Sequence, residues 1–385
     1  MKIKQLDLTN IGRFEQLTLP LANQSETGSN ITVITGSNGT GKTTLLKALT
    51  TALSWFVARL RREKGNGTTI AEIDIKNGQS SAQISLQAEY SANKLLQWST
   101  SKARQGHINI RKSTLAGATQ LAEHYRLALT DNDTTALPLI FSYGVDRYVL
   151  KFDLNLSKEP TLFDQFRGYD GKSANFLNFF SWFKQREDIE NEQRMAPSVL
   201  AELKKDLSAE QFSTLQARQE LLKDKPLEAV RQAISTFMPG YNNLQIRRQP
   251  QPHMTIDKDN ESLDINQLSQ GEKSLLALIG DIARRLALTH PAINNPLEGD
   301  GIILIDEVDL HLHPKWQRSL IDKLTTTFPN CQFILTTHSP LVISDPMKIL
   351  CYTLDDGELT RQNSLYGLDA NQVLLEVMDT DIRNE

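Results

Sequence analysis

The sequence predicts an α/β protein: a mostly parallel, covered sheet carrying an antiparallel β lobe and a helical insertion. Three observations predict it. Apolar runs of strand length, ITVIT at 31–35, GIILID at 301–306 and QFILTT at 332–337, are separated by stretches of helical spacing. Strands alternating with helices argue for parallel pairing with both faces covered. The first of these runs leads straight into a glycine-rich turn and then a helix, while the segments before it, IKQLDL and FEQLTLPL, read as short alternating strands.

Taken in order, the helix after the glycine turn begins near Thr43 as TTLLKALTTALSWFVARLRREK. It finishes in a basic turn before the breaker GNG at 65–67. A polar, strand-like section covers 72–98, a basic and poorly patterned stretch covers 101–112, and LPLIFSYG at 137–144 reads as a buried strand. Between about 156 and 237 the chain turns charged and helical, with NFLNFFSWFKQREDIENEQ and LSAEQFSTLQARQELLK as its clearest pieces. The longest patterned piece, about 25 residues, reaches under about 40 Å, which excludes a long coiled-coil arm. Residues 241–261 read as a strand hairpin with a proline-broken loop, and after Leu268 come helix, strand, helix, strand, a helix start and the strand KILCYTL. This divides the chain into 1–150, a helical insertion at 151–240, and 241–385, the first and last forming one unit split in sequence.

Composition narrows the function. With 39% hydrophobic residues over 385 positions, global disorder is excluded. The 42 Lys and Arg against 46 Asp and Glu give a net charge of −4, so no overall basic field advertises nucleic acid. No apolar run is long enough to span a bilayer, and the start MKIKQLDLTN lacks the apolar core of a signal peptide, so the expectation is a cytoplasmic protein without membrane contact. Cys331 and Cys351 sit in apolar strands and read as buried reduced thiols; two cysteines make no zinc site by themselves.

The glycine turn carries chemistry. Gly36, Ser37, Asn38, Gly39, Thr40, Gly41, Lys42 and Thr43, with Thr44 following, form a complete G-x-x-x-x-G-K-[ST] between strand and helix. Glycines allow successive N–H groups to face a polyphosphate, and the helix N-terminus adds a favourable dipole. Lys42 is expected to reach the β- and γ-phosphates of ATP, and the Thr43 hydroxyl to ligate Mg²⁺.

A second group of residues completes such a site. The apolar strand 302–305 ends in Asp306 and Glu307, where Asp306 would hold Mg²⁺ and Glu307 would act as general base toward the attacking water. His338 ends the strand QFILTT, where a γ-phosphate sensor is wanted. The run Leu268-Ser269-Gln270-Gly271-Glu272 opens a long apolar helix; it reads either as a simple N-cap or as a phosphate-facing hydroxyl and backbone.

In this order the motifs resemble those of ABC-type ATPases: Walker A at 36–43, a signature at 268–272, Walker B at 302–307 and a switch histidine in TTHSP. The variant resembles the SMC, RecF and OLD-like subset, strongly over 1–50 and 262–345 and weakly between. The resemblance implies the head-type fold, with ATP and Mg²⁺ as cofactors. It also implies a homodimer or higher homo-oligomer in which Ser269, Gly271 and Glu272 of one copy approach the nucleotide on Gly36–Thr43 of the other. The sequence departs from the pattern at Gln270, which stands where glycine is common, and at DEVDLHLHP (306–314), where a histidine replaces the D-loop aspartate of transporters. His311 and His313 read as interface or packing residues, since a spacing of two without a third ligand does not make a metal site. For the Q-loop, Gln165 is one candidate and Ser142–Arg147 a better placed stretch.

FFSWFKQREDIENE (179–192) and SLYGLDANQVLLEVMDTDIR (364–383) look like segments of the standalone ATPases of Septu and retron-associated anti-phage systems, in which an HNH nuclease from the same operon is the partner. That resemblance implies an ATPase controlling a nuclease, with DNA or RNA contacted through the complex. The alternative is a RecF- or SMC-like DNA-binding ATPase of repair, for which Arg59, Arg61, Arg62 and Lys64, or Lys102, Arg104, Arg111 and Lys112, offer basic patches. A transporter subunit is disfavoured because Leu268 lies 226 positions after Lys42. A built-in nuclease is disfavoured too, because only 47 positions follow His338 and no HNH pattern is visible.

Overall fold

The computed structural model describes residues 1–24, 28–91, 94–108, 111–146, 164–169, 176–195, 197–259, 261–362, 365–368 and 372–373. The apolar runs become the middle of a six-stranded sheet. Its order is β13 (Glu358–Arg361), β12 (Leu350–Asp355), β3 (Ile31–Thr35), β11 (Cys331–Thr336), β10 (Gly301–Ile305) and β6 (Leu139–Tyr143). All neighbours are parallel except the β12–β13 hairpin. Strands β3, β10 and β11 are buried throughout, which is why they read as unbroken apolar runs rather than as alternation.

Alternate residues of these strands serve different layers. Ile303, Ile305, Phe333 and Leu335 face a core shared with α6 (Lys225–Phe237), α7 (Gln270–Thr289) and α8 (Pro314–Thr327). Ile302, Leu304 and Ile334 face the opposite core, built on α1 (Lys42–Arg61) and on the antiparallel sheet β2 (Phe14–Pro20), β1 (Lys2–Ile11), β4 (Ser81–Tyr90) and β5 (Lys94–Ala103). The hairpin expected at 241–261 is present as β7 (Tyr241–Arg247) and β8 (His253–Lys258), extended by β9 (Glu261–Asp264).

One helix is absent from the sequence reading: α2 (Ala116–Asp131) packs on α1 and on β5, and its buried residues are mostly small, Gly117, Ala118 and Ala122, with Leu121 and Leu129. A Cβ on Gly117 would lie 2.3 Å from the carbonyl oxygen of Gln97, so the close approach depends on glycine there.

The charged helical stretch is rooted in the main core. From α3 (Phe176–Gln193), Phe179, Phe180, Trp182 and Phe183 join the α6–α7 cluster, and the ring of Phe179 closes over Gly280. Arg231 of α6 pairs with Glu187 at 3.2 Å and Glu190 at 3.0 Å, and Arg248 pairs with Glu187 at 3.3 Å, which locks α3 to α6 and to the end of β7. By contrast α4 (Pro197–Asp206) and α5 (Ala209–Leu221) are mostly exposed. Among the described residues no helix is long and apolar enough to cross a membrane.

Between α7 and β6 lies a buried ionic group. Asp281 accepts from Arg284 at 2.8 Å, from Arg285 at 2.6 Å and from the Tyr143 hydroxyl at 2.9 Å, and Arg285 also stacks on Phe141. Burial opposes ionisation of Asp281, but the two guanidinium groups outweigh it and hold the carboxyl at about 2, below its ordinary 3.8. Asp281→Ala strands two buried cations and is expected to cost about 3–5 kcal/mol in urea unfolding. In the parent protein this contribution is complete above pH 3.8 and is lost as pH falls through about 2. A loss below about 1 kcal/mol would refute the assignment.

Candidate active site

The C-terminal ends of β3, β11 and β10 lie side by side, and the predicted phosphate loop and acids gather there. Gly36, Gly39 and Gly41 all have positive φ, +145°, +78° and +110°. Gly36 presses on β12, so that a Cβ would lie 2.2 Å from the Leu354 oxygen, and Gly41 presses on the ring of Phe14. Ser37, Asn38 and Gly39 are exposed at the tip, with nothing within 4 Å of a Cβ on Gly39. Thr40 braces the loop by donating to the Ser37 carbonyl at 2.9 Å.

Helix α1 starts at Lys42 without a side-chain cap and without an acid in its first turn, whereas α6, α7 and α8 are capped by Asp224, Ser269 and His313. An uncapped N-terminus on a 20-residue helix presents donors and a positive dipole to an anion. Lys42, 6% exposed, bends back to donate to the carbonyls of Gly36 at 2.8 Å and Ser37 at 2.9 Å. Burial draws its ammonium below the usual lysine range, opposed by the charges of Asp306, Glu307 and Asp309.

Thr43 donates to Asp306 Oδ2 at 2.8 Å, although 263 positions separate the two. The other carboxylate oxygen, Oδ1, accepts from Thr336 at 2.5 Å, and the Asp306 N–H donates to the Tyr143 carbonyl at 2.9 Å. Glu307 follows in left-handed backbone, φ +46°, with its N–H on the Thr336 hydroxyl at 2.7 Å. The Thr43 hydroxyl and Asp306 carboxylate are hard oxygen donors brought together, a set that suits Mg²⁺. His338 is half-buried just past the end of β11, and its ring makes no hydrogen bond to a described residue. Thr44 sits in the first turn of α1, and its side chain packs on Gly12.

Ser269, Gly271 and Glu272 lie elsewhere, in a cavity of about 690 Å³ lined also by Tyr241, Lys258, His311, His313 and Trp316. No lining residue comes from the phosphate loop. Ser269 and Glu272 form a capping box, Ser269 N to Glu272 Oε2 at 2.7 Å and Glu272 N to Ser269 Oγ at 3.3 Å. Burial works against the Glu272 carboxylate, yet bonds from Lys258, Tyr241 and Ser269 hold it at about 2, so this side chain is engaged by residues of the same chain. Gly271 packs against the carbonyl of His311, 2.4 Å from where a Cβ would lie.

Other residues singled out in the sequence have local roles. His313 caps α8, its Nδ1 accepting from Lys315 N at 3.2 Å. Gln165 is buried and donates to the Asp133 carbonyl at 2.5 Å, away from the phosphate loop. Arg59, Arg61 and Arg104 are bonded to main-chain oxygens of Leu115, Phe166 and Gln79. Arg147 and most of 364–383 lie outside the described residues. Burial pushes both cysteine thiols up to about 12. What the sequence reading missed is the pair Thr336 and Thr337: as β-branched residues ending a strand they look like strand formers, and only their partners reveal more.

Residues 31–344 match the family described as "AAA domain, putative AbiEii toxin, Type IV TA system". The chain belongs to this family. It is 35% identical to the retron Ec83 probable ATPase of Escherichia coli, over 93% of this chain and 71% of that protein. It is 34% identical to the retron Vc95 probable ATPase of Vibrio cholerae serotype O1 biovar El Tor, over 91% and 73%. Septu protein PtuA of Bacillus thuringiensis is 24% identical over 89% of this chain and 72% of its own. Among solved structures, the Smc head bound to the C-winged helix domain of ScpA superposes with a TM-score of 0.50 at 14% identity, covering 94% of this chain and 97% of that one, a likeness of fold. An AAA-family member with an SMC-head-like fold thus matches the P-loop ATPase architecture expected from the motifs.

Two glycines of the loop should respond differently to substitution. Gly39→Ala meets open space and carries only the left-handed backbone cost, about 1–2 kcal/mol, whereas Gly36→Ala also drives a methyl into the Leu354 carbonyl. Urea unfolding should show the second loss at about twice the first or more; equal losses would contradict the packing of Gly36 on β12.

Proposed function

We propose that the protein is a Mg²⁺-dependent ATPase of anti-phage defence, which closes as a homodimer around ATP and regulates a partner effector, an HNH-type nuclease. The observation that carries the hydrolytic part is the convergence of Lys42, Thr43, Asp306 and Glu307 at one sheet edge, through contacts spanning most of the chain. Lys42 and the N–H groups of Gly36–Thr43 bind the phosphates. Mg²⁺ held by Thr43 and Asp306 would supply neutralising charge at the phosphate oxygens. Glu307 takes a proton from water as the water oxygen bonds the γ-phosphorus and the bond to the β–γ bridging oxygen breaks, releasing ADP; His338 faces the γ-phosphate. Ser269 and Gly271 of a second copy complete the site, since in their own subunit they line a separate cavity. The retron and Septu relatives support the defence setting and an operon partner.

Glu307→Gln is expected to bind ATP normally, to hydrolyse it about 100-fold or more slowly, and to accumulate the dimer in size-exclusion chromatography with ATP. Lys42→Ala is expected to lose nucleotide affinity about 10- to 100-fold. Wild-type turnover by Glu307→Gln would remove Glu307 as base. For the partner, co-expression with the neighbouring genes should yield a complex whose nuclease activity changes with ATP; an ATPase that captures no operon product would sink the nuclease-control reading and leave the hydrolysis reading intact.

A further inference from the structure

We propose that Thr336 is the positioning residue of this site, its single hydroxyl setting the Asp306 carboxylate and the Glu307 backbone together. The inference rests on the hydrolytic reading above and extends it to a residue outside the four motifs' phosphate- and metal-contacting groups. Thr336 is fully buried at the end of β11, beside the end of β10 in the parallel register that pairs Leu335 with Ile305. Its hydroxyl proton goes to Asp306 Oδ1 at 2.5 Å, and its oxygen accepts the Glu307 N–H at 2.7 Å.

Each bond fixes something different. Asp306 has two carboxylate oxygens: with Oδ1 tied to Thr336, Oδ2 is turned to the Thr43 hydroxyl at 2.8 Å. That tie restrains rotation of the carboxylate about its terminal torsion, which is broad for aspartate. Glu307 stands at φ +46°, a region that disfavours a residue with a Cβ and persists only where the surroundings hold it. Thr336 holds it twice, through its hydroxyl and through its carbonyl, which accepts Val308 N at 2.9 Å. The side-chain direction of Glu307 follows from this backbone conformation, so the hydroxyl that orients the metal-binding acid also aims the base. Serine and threonine hydroxyls both donate and accept in this space, a cysteine thiol does so only weakly, and valine fills the same volume and does neither.

The test compares Thr336→Val and Thr336→Ser in the full chain, using Mn²⁺ as probe ion and ATPγS as the slowly hydrolysed nucleotide. In Thr336→Val, Mn²⁺ affinity of the nucleotide complex, read by electron paramagnetic resonance, should fall about 10-fold, and kcat about 10- to 100-fold. Nucleotide affinity in EDTA should stay within about twofold, because Lys42 and the loop are untouched. Thr336→Ser, which keeps the hydroxyl, should restore both properties to within about threefold of the parent. Should the valine variant fail to fold, Thr336→Cys, with a weak thiol donor in the same place, should fall clearly below both the parent and Thr336→Ser in both readouts, and a cysteine variant equal to the parent overturns the proposal. Parent-like Mn²⁺ affinity and kcat in Thr336→Val, or a serine variant as impaired as valine, overturns the proposal. A parent protein that binds ATPγS and Mn²⁺ but does not turn over ATP overturns the hydrolytic reading instead, and the Mn²⁺ comparison still decides the role of Thr336.

Discussion

Asp306 is held from three neighbouring pieces of chain, two at its carboxylate and one at its backbone N–H. Thr43, at the start of the helix after β3, takes one oxygen; Thr336, ending β11, takes the other; Tyr143, ending β6, accepts the backbone N–H. These contacts exist only because β3, β11, β10 and β6 are consecutive and parallel, so that their C-terminal ends come out at one edge. An open parallel sheet gathers loops from distant parts of a sequence at that edge. The apolar residues of 301–305 and 331–336 therefore do more than fill a core: their register decides whether the hydroxyl and carboxylate meet.

Much of this was legible because the physics is local. A strand buried on both faces must be apolar throughout, and a phosphate loop must place glycines at fixed offsets before a helix, so 31–43 and 302–307 announce themselves. Helix α2 did not, because it packs through glycine and alanine and leaves few large residues to mark a period. The role of Asp281, Arg284 and Arg285 was hidden as well. Charges spaced three and four apart on a helix normally mean a solvated face; here the face is turned inward against Tyr143 and Phe141. No local pattern distinguishes these cases, since the burying partner comes from a strand about 140 residues earlier.

The charged helical stretch shows the same limit from the other side. Its composition suggests an inserted piece, and α4 and α5 are mostly exposed. Yet α3 and α6 place four aromatic side chains and an apolar face in the core that carries α7. Glu187 and Glu190 sit almost fully buried against Arg231, and burial raises the Glu187 carboxyl while Ile246 N–H and the arginines work against it. Buried pairs of this kind add little net stability but penalise any other arrangement of the helices. Helices α3 and α6 thus buttress α7.

That buttressing matters because α7 begins at Ser269 and Gly271. Its position is fixed at one end by the capping box and the Lys258–Glu272 pair, and along its length by Asp281 on Tyr143. Tyr143 is the residue whose carbonyl receives Asp306 N–H. A second route runs through the turn after Glu307: Thr337 donates to Asp309 at 2.5 Å, and the same turn sets the His311 carbonyl against Gly271. The second route ends on a close approach, since a Cβ on Gly271 would lie only 2.4 Å from the His311 oxygen. In a closely packed interior such contacts shift as units rather than stretch. The Asp306 edge and the start of α7 are thus joined through packed contacts, although no residue of 36–43 lines the cavity at Ser269 and Gly271.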